Sequence, residues 1–228
     1  MGRRFLVVLL PLLLLGAGCG GGGGSKSNGV ADKSASEILT AAKQAANKAG
    51  SVHFFGSIVE EGTPLKVDIR IEGTKGGTGS MTIQGSHVDI IRVDGQAYIK
   101  GSSQFYTQVA GAAAAQLLKG KWLKGSATKG DLASLAALTS MDKLFAAALK
   151  PGGTISKGKE TTVDGQKVIE LKSSDGGSLY VATTGEPYPV QIAQVTGTST
   201  GSVHFDEWNA PVDVKAPQNS LDISKLNG

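Results

Sequence analysis

The sequence predicts an α+β fold: one long, curved antiparallel sheet whose two halves flank an inserted helical layer. Three observations carry this prediction. A capped, amphipathic segment near residue 35 reads as one helix. Period-two alternation of apolar and polar residues recurs on both sides of the middle of the chain. The middle itself is rich in alanine and leucine at helical spacing.

Ser34-Ala35-Ser36-Glu37 resembles a capping box, and Ile38, Leu39, Ala42, Ala45, Ala46 and Ala49 follow at helical spacing before Gly50. A packing helix is therefore expected over Ala35–Ala49. Strand patterns come next. Val52–Val59 is apolar and β-rich. In Leu65–Glu72, Leu65, Val67, Ile69 and Ile71 face one way and Lys66, Asp68, Arg70 and Glu72 the other, the mark of a half-buried antiparallel strand. Met81–Gln84 and Val88–Val93 continue the pattern, and Asp94-Gly95 is a hairpin turn leading into Ala97–Lys100.

From Gln108 the character changes. Gln108–Leu118 is alanine-rich, Lys121–Lys124 follows, and Leu132, Leu135, Leu138, Leu144, Phe145 and Leu149 mark a helical insert. Ser140 is positioned to cap a helix over Met141–Leu149, which Pro151-Gly152-Gly153 stops. Strands resume at Thr161–Asp164, Lys167–Lys172, Ser178–Ala182, Pro189–Val195 and Ser202–Trp208. The segment from Asn209 onward, with Pro211 and Pro217, reads as a covering tail. Val-Asp-Gly-Gln occurs at both Val93 and Val163; Asp-Gly turns recur by chance in β proteins, so the echo does not establish duplication.

The first residues read as a leader. Arg3 and Arg4 precede an apolar run from Phe5 to Leu15, broken only by Pro11, and Gly16-Ala17-Gly18 supplies small residues before Cys19, the only cysteine. A run this short is a signal-peptide core, because a membrane span needs ~20 residues. The cysteine after small residues resembles a bacterial lipobox. That resemblance implies a signal peptide over 1–18, cleavage between Gly18 and Cys19, and a diacylglyceryl thioether on Cys19. One feature departs from the pattern: Gly16 stands three residues before the cysteine, where leucine is preferred, and Leu15 lies one place earlier. The alternative is a secreted protein with a chance cysteine at its cleavage site. Gly20–Gly24 and the polar residues after it are expected to form a tether over 19–33, with a flexible reach of ~20 Å from Gly20 to Lys33. Residues 34–228 are expected to form a single domain. Two acyl chains give stable attachment where one does not, which places the domain at the outer face of the plasma membrane, in the cell envelope.

Composition narrows the function. The net charge of +4 includes Arg3 and Arg4, so the chain from Cys19 onward is near +2. It has no basic run and little aromatic interleaving, which argues against nucleic acid. With its sole cysteine lipidated, the domain would have no disulfide and would rest on packing and sheet hydrogen bonds. Aromatic residues make up 5%, so the core is mainly aliphatic.

Several segments recur in a recognisable order: Ser51-Val52-His53-Phe54 after the first helix, Ala97-Tyr98-Ile99-Lys100-Gly101, Gly120-Lys121-Trp122-Leu123, and Val163-Asp164-Gly165-Gln166. They continue with Leu179-Tyr180-Val181, Gly185-Glu186-Pro187-Tyr188-Pro189, and Phe205-Asp206-Glu207-Trp208-Asn209. Together with the lipobox, this order resembles the LolA-like superfamily, and within it the actinobacterial LppX/LprG-type lipoproteins, over residues 34–218. The resemblance implies a half-open β-barrel closed by helices, with an apolar cavity for acyl chains. It transfers no binding residue.

An antiparallel sheet with one apolar face curves around whatever fills it. Where the helices leave the concave side unfilled, the remaining space is apolar and lipid-sized. Candidate lining residues are Val67, Ile69, Ile83, Ile90, Ile99, Val181, Ile192 and Phe205 from strands, and Leu135, Leu138, Leu144 and Phe145 from helices. For any single one of them the pattern favours ordinary core over a ligand contact.

Catalytic chemistry is sparse. The three histidines, His53, His87 and His204, all sit in strand patterns, and no H-E-x-x-H or P-loop occurs. His87 and Asp89 alternate with the core side and should meet solvent, and Glu60-Glu61 reads as a solvated turn. No enzyme activity, metal or cofactor is expected. The leading reading is a lipid-anchored carrier or binding module for a lipid or acylated glycolipid. The alternative is an envelope sensor or interaction module on the same scaffold, working with a transport or signalling partner.

Overall fold

The computed structural model of the chain describes residues 26–225, apart from 74, 131 and 196–198. Cys19, the expected signal peptide over 1–18 and the glycine run lie outside the described residues. Helix α1 (Ala35–Lys48) begins as expected: the Ser34 hydroxyl accepts from the Glu37 N–H, and the Glu37 carboxylate accepts from the Ser34 N–H at 2.9 Å. Its buried stripe is Ile38, Ala42, Ala45 and Ala46.

A meander follows: β1 (Ser51–Glu60), β2 (Thr63–Glu72), β3 (Gly76–Ile83), β4 (Ser86–Val93) and β5 (Gln96–Gly101). Helix α2 (Ser103–Leu118), a short β6 (Leu123–Ser126), α3 (Ala133–Ala137) and α4 (Met141–Ala148) come next. The last group is β7 (Ile155–Val163), β8 (Gln166–Ser173), β9 (Gly177–Ala182), β10 (Pro189–Val195), β11 (Ser199–Asp206) and β12 (Leu221–Asp222).

Among the described residues the twelve strands form one sheet, in the order β12-β6-β5-β4-β3-β2-β1-β11-β10-β9-β8-β7. Every neighbouring pair is antiparallel except β12 on β6. The β1–β11 pairing, in which Phe54 faces Phe205, joins the two halves. The edges β7 and β12 do not meet, so the sheet is curved but open. Asp94-Gly95 and Asp164-Gly165 have positive φ at both residues (51° and 73°; 48° and 77°), the conformation of a tight hairpin turn matched to strand twist.

Four local expectations are corrected. Leu123–Ser126, read as part of the helical insert, is a strand: it pairs with β5 on one side and β12 on the other. Helix α2 begins well before the alanine run, because the Ser102 hydroxyl accepts from the Phe105 N–H at 3.2 Å; it then breaks at Gly111, whose φ is 85°. Ser140 contributes no side-chain cap to α4; its carbonyl accepts from the Leu144 N–H.

The fourth correction concerns the tether, expected to run to Lys33. Ser27 bridges Thr184, Asn28 donates its side-chain amide to the Ala182 and Gly185 carbonyls at 3.1 and 3.0 Å, and Val30 is 2% exposed. Lys157 Nζ donates to the carbonyls of Ala31 and Lys33, both at 3.1 Å. A polar composition suggested solvated chain, but backbone hydrogen bonding and one buried valine hold residues 27–33 against the sheet.

The main core lies between the concave face and the helices and includes Phe54, Ile69, Ile71, Ile90, Tyr106, Phe145 and Phe205. A second cluster joins Val30, Ile38 and Ala42 to Ile169, Leu171 and Val181.

Candidate functional site, an apolar cavity

Burial along the inward rows is graded. On β2, Ile71 and Ile69 are fully buried, whereas Val67 and Leu65 are only half-buried. On β1, Val52 and Phe54 are buried and Ile58 is half-buried; on β11, Phe205 is buried and Val203 is half-buried. Cover by the helices therefore fails toward one end of the sheet. Here lies a cavity of about 450 Å³, lined by Phe54, Ile58, Leu65, Val67, Leu138, Leu144, Ala148, Ile192, Val203 and Phe205, with Gln194 and Ser199 as its polar side chains. The volume falls within the ~300–1,000 Å³ of small-molecule sites. Gly201 also lines it. At φ 133°, a side chain there would collide with the Ser57 carbonyl oxygen, so glycine both permits the close β1–β11 approach and leaves the space clear.

Aromatic rings close the inner end. Phe145 stacks on Trp208 at 5.5 Å and lies 5.7 Å from Phe205, and Trp208 stacks on Tyr188 at 4.4 Å. The N-terminal segment joins the sheet at this same end, beside the β9–β10 turn. A smaller pocket of about 90 Å³, between Leu39, Leu149 and Leu171, shares Ala148, Ile192 and Gln194 with the cavity.

Of the twelve candidate lining residues, Val67, Ile192, Phe205, Leu138 and Leu144 line the cavity. The other seven are placed elsewhere. Ile69, Ile90, Ile99 and Phe145 are buried in the main core, and Ile83 and Leu135 pack against it. Val181 belongs to the separate cluster under α1. The physical reason is that α2, α3 and α4 fill most of the concave side, so inward-facing residues near those helices are packed and only those beyond them face free space. Sequence reasoning missed Phe54, Ile58, Leu65, Ala148 and Val203. The alternation that marked Val67 and Phe205 also points to Leu65 and Val203, two residues earlier on the same faces. In β1 the apolar run hides the phase.

The opposite face of the same strands is polar. It carries a depression of about 600 Å³ lined by Ser57, Lys66, Asp68, Ser80, Thr82 and Ser202, with Phe55 and His204. His53 is only 7% exposed, contrary to an ordinary solvent-facing strand position. Its Nδ1 lies 2.7 Å from Asp206 and its Nε2 3.1 Å from Asp68. Its ring stacks on Phe55, which stacks on His204; His204 Nδ1 meets Asp164 in the β7–β8 turn at 2.5 Å. His87 meets solvent, as expected, and Asp89 is half-buried.

His53, Asp206 and Glu207 bring three potential metal-ligand atoms within 4.8 Å of one another. Those atoms are already engaged: Arg70 Nε and Nη2 donate to the two Glu207 oxygens at 2.8 and 3.0 Å, and both His53 nitrogens face carboxylates. The Arg70 hydrogen bond holds the Glu207 carboxyl below its ordinary value, and Glu207 in turn raises the Arg70 guanidinium. The cluster ties β1, β2 and β11 together.

No protein-family model and no curated protein matches the sequence. Solved structures do match. LprF from Mycobacterium bovis aligns with 85% of this chain and 99% of its own, at 13% identity and a TM-score of 0.56. The Mycobacterium tuberculosis lipoprotein LppX aligns with 79% of this chain and 98% of its own, at 14% identity and a TM-score of 0.54. At such identities the likeness speaks to the fold. The twelve-stranded open sheet, the helices against its concave face and these alignments together show that the chain has the fold of LprF and LppX.

Proposed function

We propose that this chain is an extracytoplasmic lipoprotein, anchored through Cys19, that holds the acyl portion of a lipid or glycolipid in the cavity between β1, β2, β10, β11 and α4. The observation that carries the reading is the cavity itself, about 450 Å³ with ten apolar side chains and two polar ones in its lining, closed by aromatics at one end and losing cover at the other. Acyl chains would enter from the Leu65 end and leave their headgroup near Gln194 and Ser199. The driving force is transfer of methylenes from water, ~0.8 kcal/mol each. No covalent step is required.

Native protein extracted into organic solvent should yield lipid by mass spectrometry, and delipidated protein should take up a fluorescent fatty acid. Ala148→Trp, which fills the cavity from α4, should abolish uptake while the protein stays folded. Uptake unaffected by this substitution would sink the reading. Membrane attachment is tested separately: Cys19→Ser should lose the diacylglyceryl mass, and unchanged mass would remove the anchor.

A further inference from the structure

We propose that α2 docks the cavity-mouth end of the domain on an anionic lipid bilayer. Helix α2 contains no charged residue, and among its sixteen residues only Tyr106 and Ala115 are buried. Residues 107–113 are all exposed. Val109 and Leu117 are 62% and 70% exposed, and Val195, at the end of β10, is 72% exposed. A water-facing helix normally carries charges on that face; on both sides of its break at Gly111 this one presents only uncharged residues, Val109 and several alanines with Thr107 and Gln108 before or beside the break and Leu117 with Gln116 after it.

The surroundings identify the occupant. From Gly95 to Lys124 there are four lysines and no carboxylate side chain. Lys100 is engaged by Asp89 at 3.0 Å and Lys124 by Asp222 at 3.6 Å. Lys119 and Lys121, between α2 and β6 at the mouth end, are exposed. Trp122 lies half-buried beneath Lys100, 4.8 Å from its ring centroid. An apolar helical face bordered by lysines and a tryptophan suits the boundary between acyl chains and headgroups, and lysines without acidic neighbours complement anionic lipid. A second copy of this chain would set the same lysines against one another, a like-charge juxtaposition that opposes pairing through this face.

Position connects docking to the cavity. Helix α2 starts from the end of β5, and Gln108 accepts from Ser86 Oγ at 2.9 Å beside the β3–β4 turn. Ile83, the last residue of β3 before that turn, is the register partner of Leu65, which lines the cavity mouth. The N-terminal segment joins the sheet at the opposite end. Docking by α2 therefore brings the mouth to the bilayer, and an anchor at Cys19, where the proposed function holds, adds a second point of attachment.

The test places an environment-sensitive fluorophore on the mature lipoprotein through Val109→Cys, the acylated Cys19 being unreactive, with Thr161→Cys on exposed β7 as the reference. Vesicles are phosphatidylcholine with or without phosphatidylglycerol, each also with brominated acyl chains. The probe at 109 should shift to the blue and be quenched by brominated lipid in phosphatidylglycerol vesicles, and the probe at 161 should not. Lys119→Glu with Lys121→Glu should remove most of the quenching, with an unchanged thermal unfolding midpoint because both side chains are exposed. No quenching at 109, or equal quenching at both sites, overturns docking. So does a blue shift without vesicles that grows with protein concentration, which would assign the face to self-association. Quenching without fatty-acid uptake would leave docking standing and remove the carrier reading; uptake without quenching would do the reverse.

Discussion

Arg92 on β4 donates to Thr139 three times: from Nε and Nη2 to its carbonyl at 3.0 and 2.6 Å, and from Nε to its hydroxyl at 3.1 Å. Thr139 is fully buried at the junction of α3 and α4. Burial pulls the Arg92 guanidinium below its usual value. The contact is the polar pin that holds the helical insert over the sheet, and so sets how far the cavity stays uncovered. Arg92→Met should cost about 1–3 kcal/mol, because it leaves a buried carbonyl without its donors. Arg92→Lys should recover only part, since an ammonium cannot reproduce the planar fork. Urea unfolding gives the loss, and faster amide hydrogen exchange confined to α3 and α4 would place it at the pin.

Val67 and Ile69 point the same way from β2, two residues apart, yet one lines the cavity and the other is fully buried. Ile69→Ala should cost ~2–5 kcal/mol through lost burial and a new void. Val67→Ala should cost about 1 kcal/mol, because its methyls already border free space. Fatty-acid uptake should survive the second change. Equal destabilisation at both positions would mean that the wall at Val67 is packed core.

Acidification should weaken the β2–β11 junction. The Arg70 hydrogen bond keeps the Glu207 carboxyl below its ordinary value of 4.5. A carboxyl depressed in the folded state contributes stability above its unfolded value, and that contribution fades as pH falls through the folded one. The stability difference between wild type and Glu207→Gln should thus be full at neutral pH and shrink progressively below pH 4.5. Denaturation midpoints across that range check it; a difference that grows on acidification contradicts the assignment.

Asn28 and Val30 make residues 27–33 part of the folded body. Lys33 is exposed, yet its carbonyl is held by Lys157. Asn28→Ala removes two hydrogen bonds to backbone carbonyls, so trypsin should cut after Lys33 roughly tenfold faster, as local opening becomes about 1.4 kcal/mol easier. Mass analysis of early fragments separates this cut from cleavage after Lys26.

Local patterns in the sequence were enough to read most of the elements. The Ser34–Glu37 box, the alternation of Leu65–Glu72 and the Asp-Gly turns depend on neighbours a few residues away, and each appears where those neighbours place it. Elements that depend on distant partners were not legible. Leu123–Ser126 is a strand because β5 and β12 lie beside it, and residues 27–33 are ordered because Thr183, Ala182 and Gly185 supply carbonyls from the far end of the chain. His53 was legible only as a strand residue; its two carboxylate partners come from β2 and β11.

The division is sharpest at the cavity. Where apolar and polar residues alternate, as in β2, period-two patterning was enough to tell which side chains face the concave side, because alternation is a property of the strand alone; the apolar run of β1 hid it. Whether an inward side chain meets a helix or empty space depends on where α2, α3 and α4 come to rest, and that is set by long-range contacts such as Arg92 with Thr139. Strand alternation sufficed for a curved, one-sided apolar sheet, and tertiary packing decided that Ile69 is core and Val67 is wall.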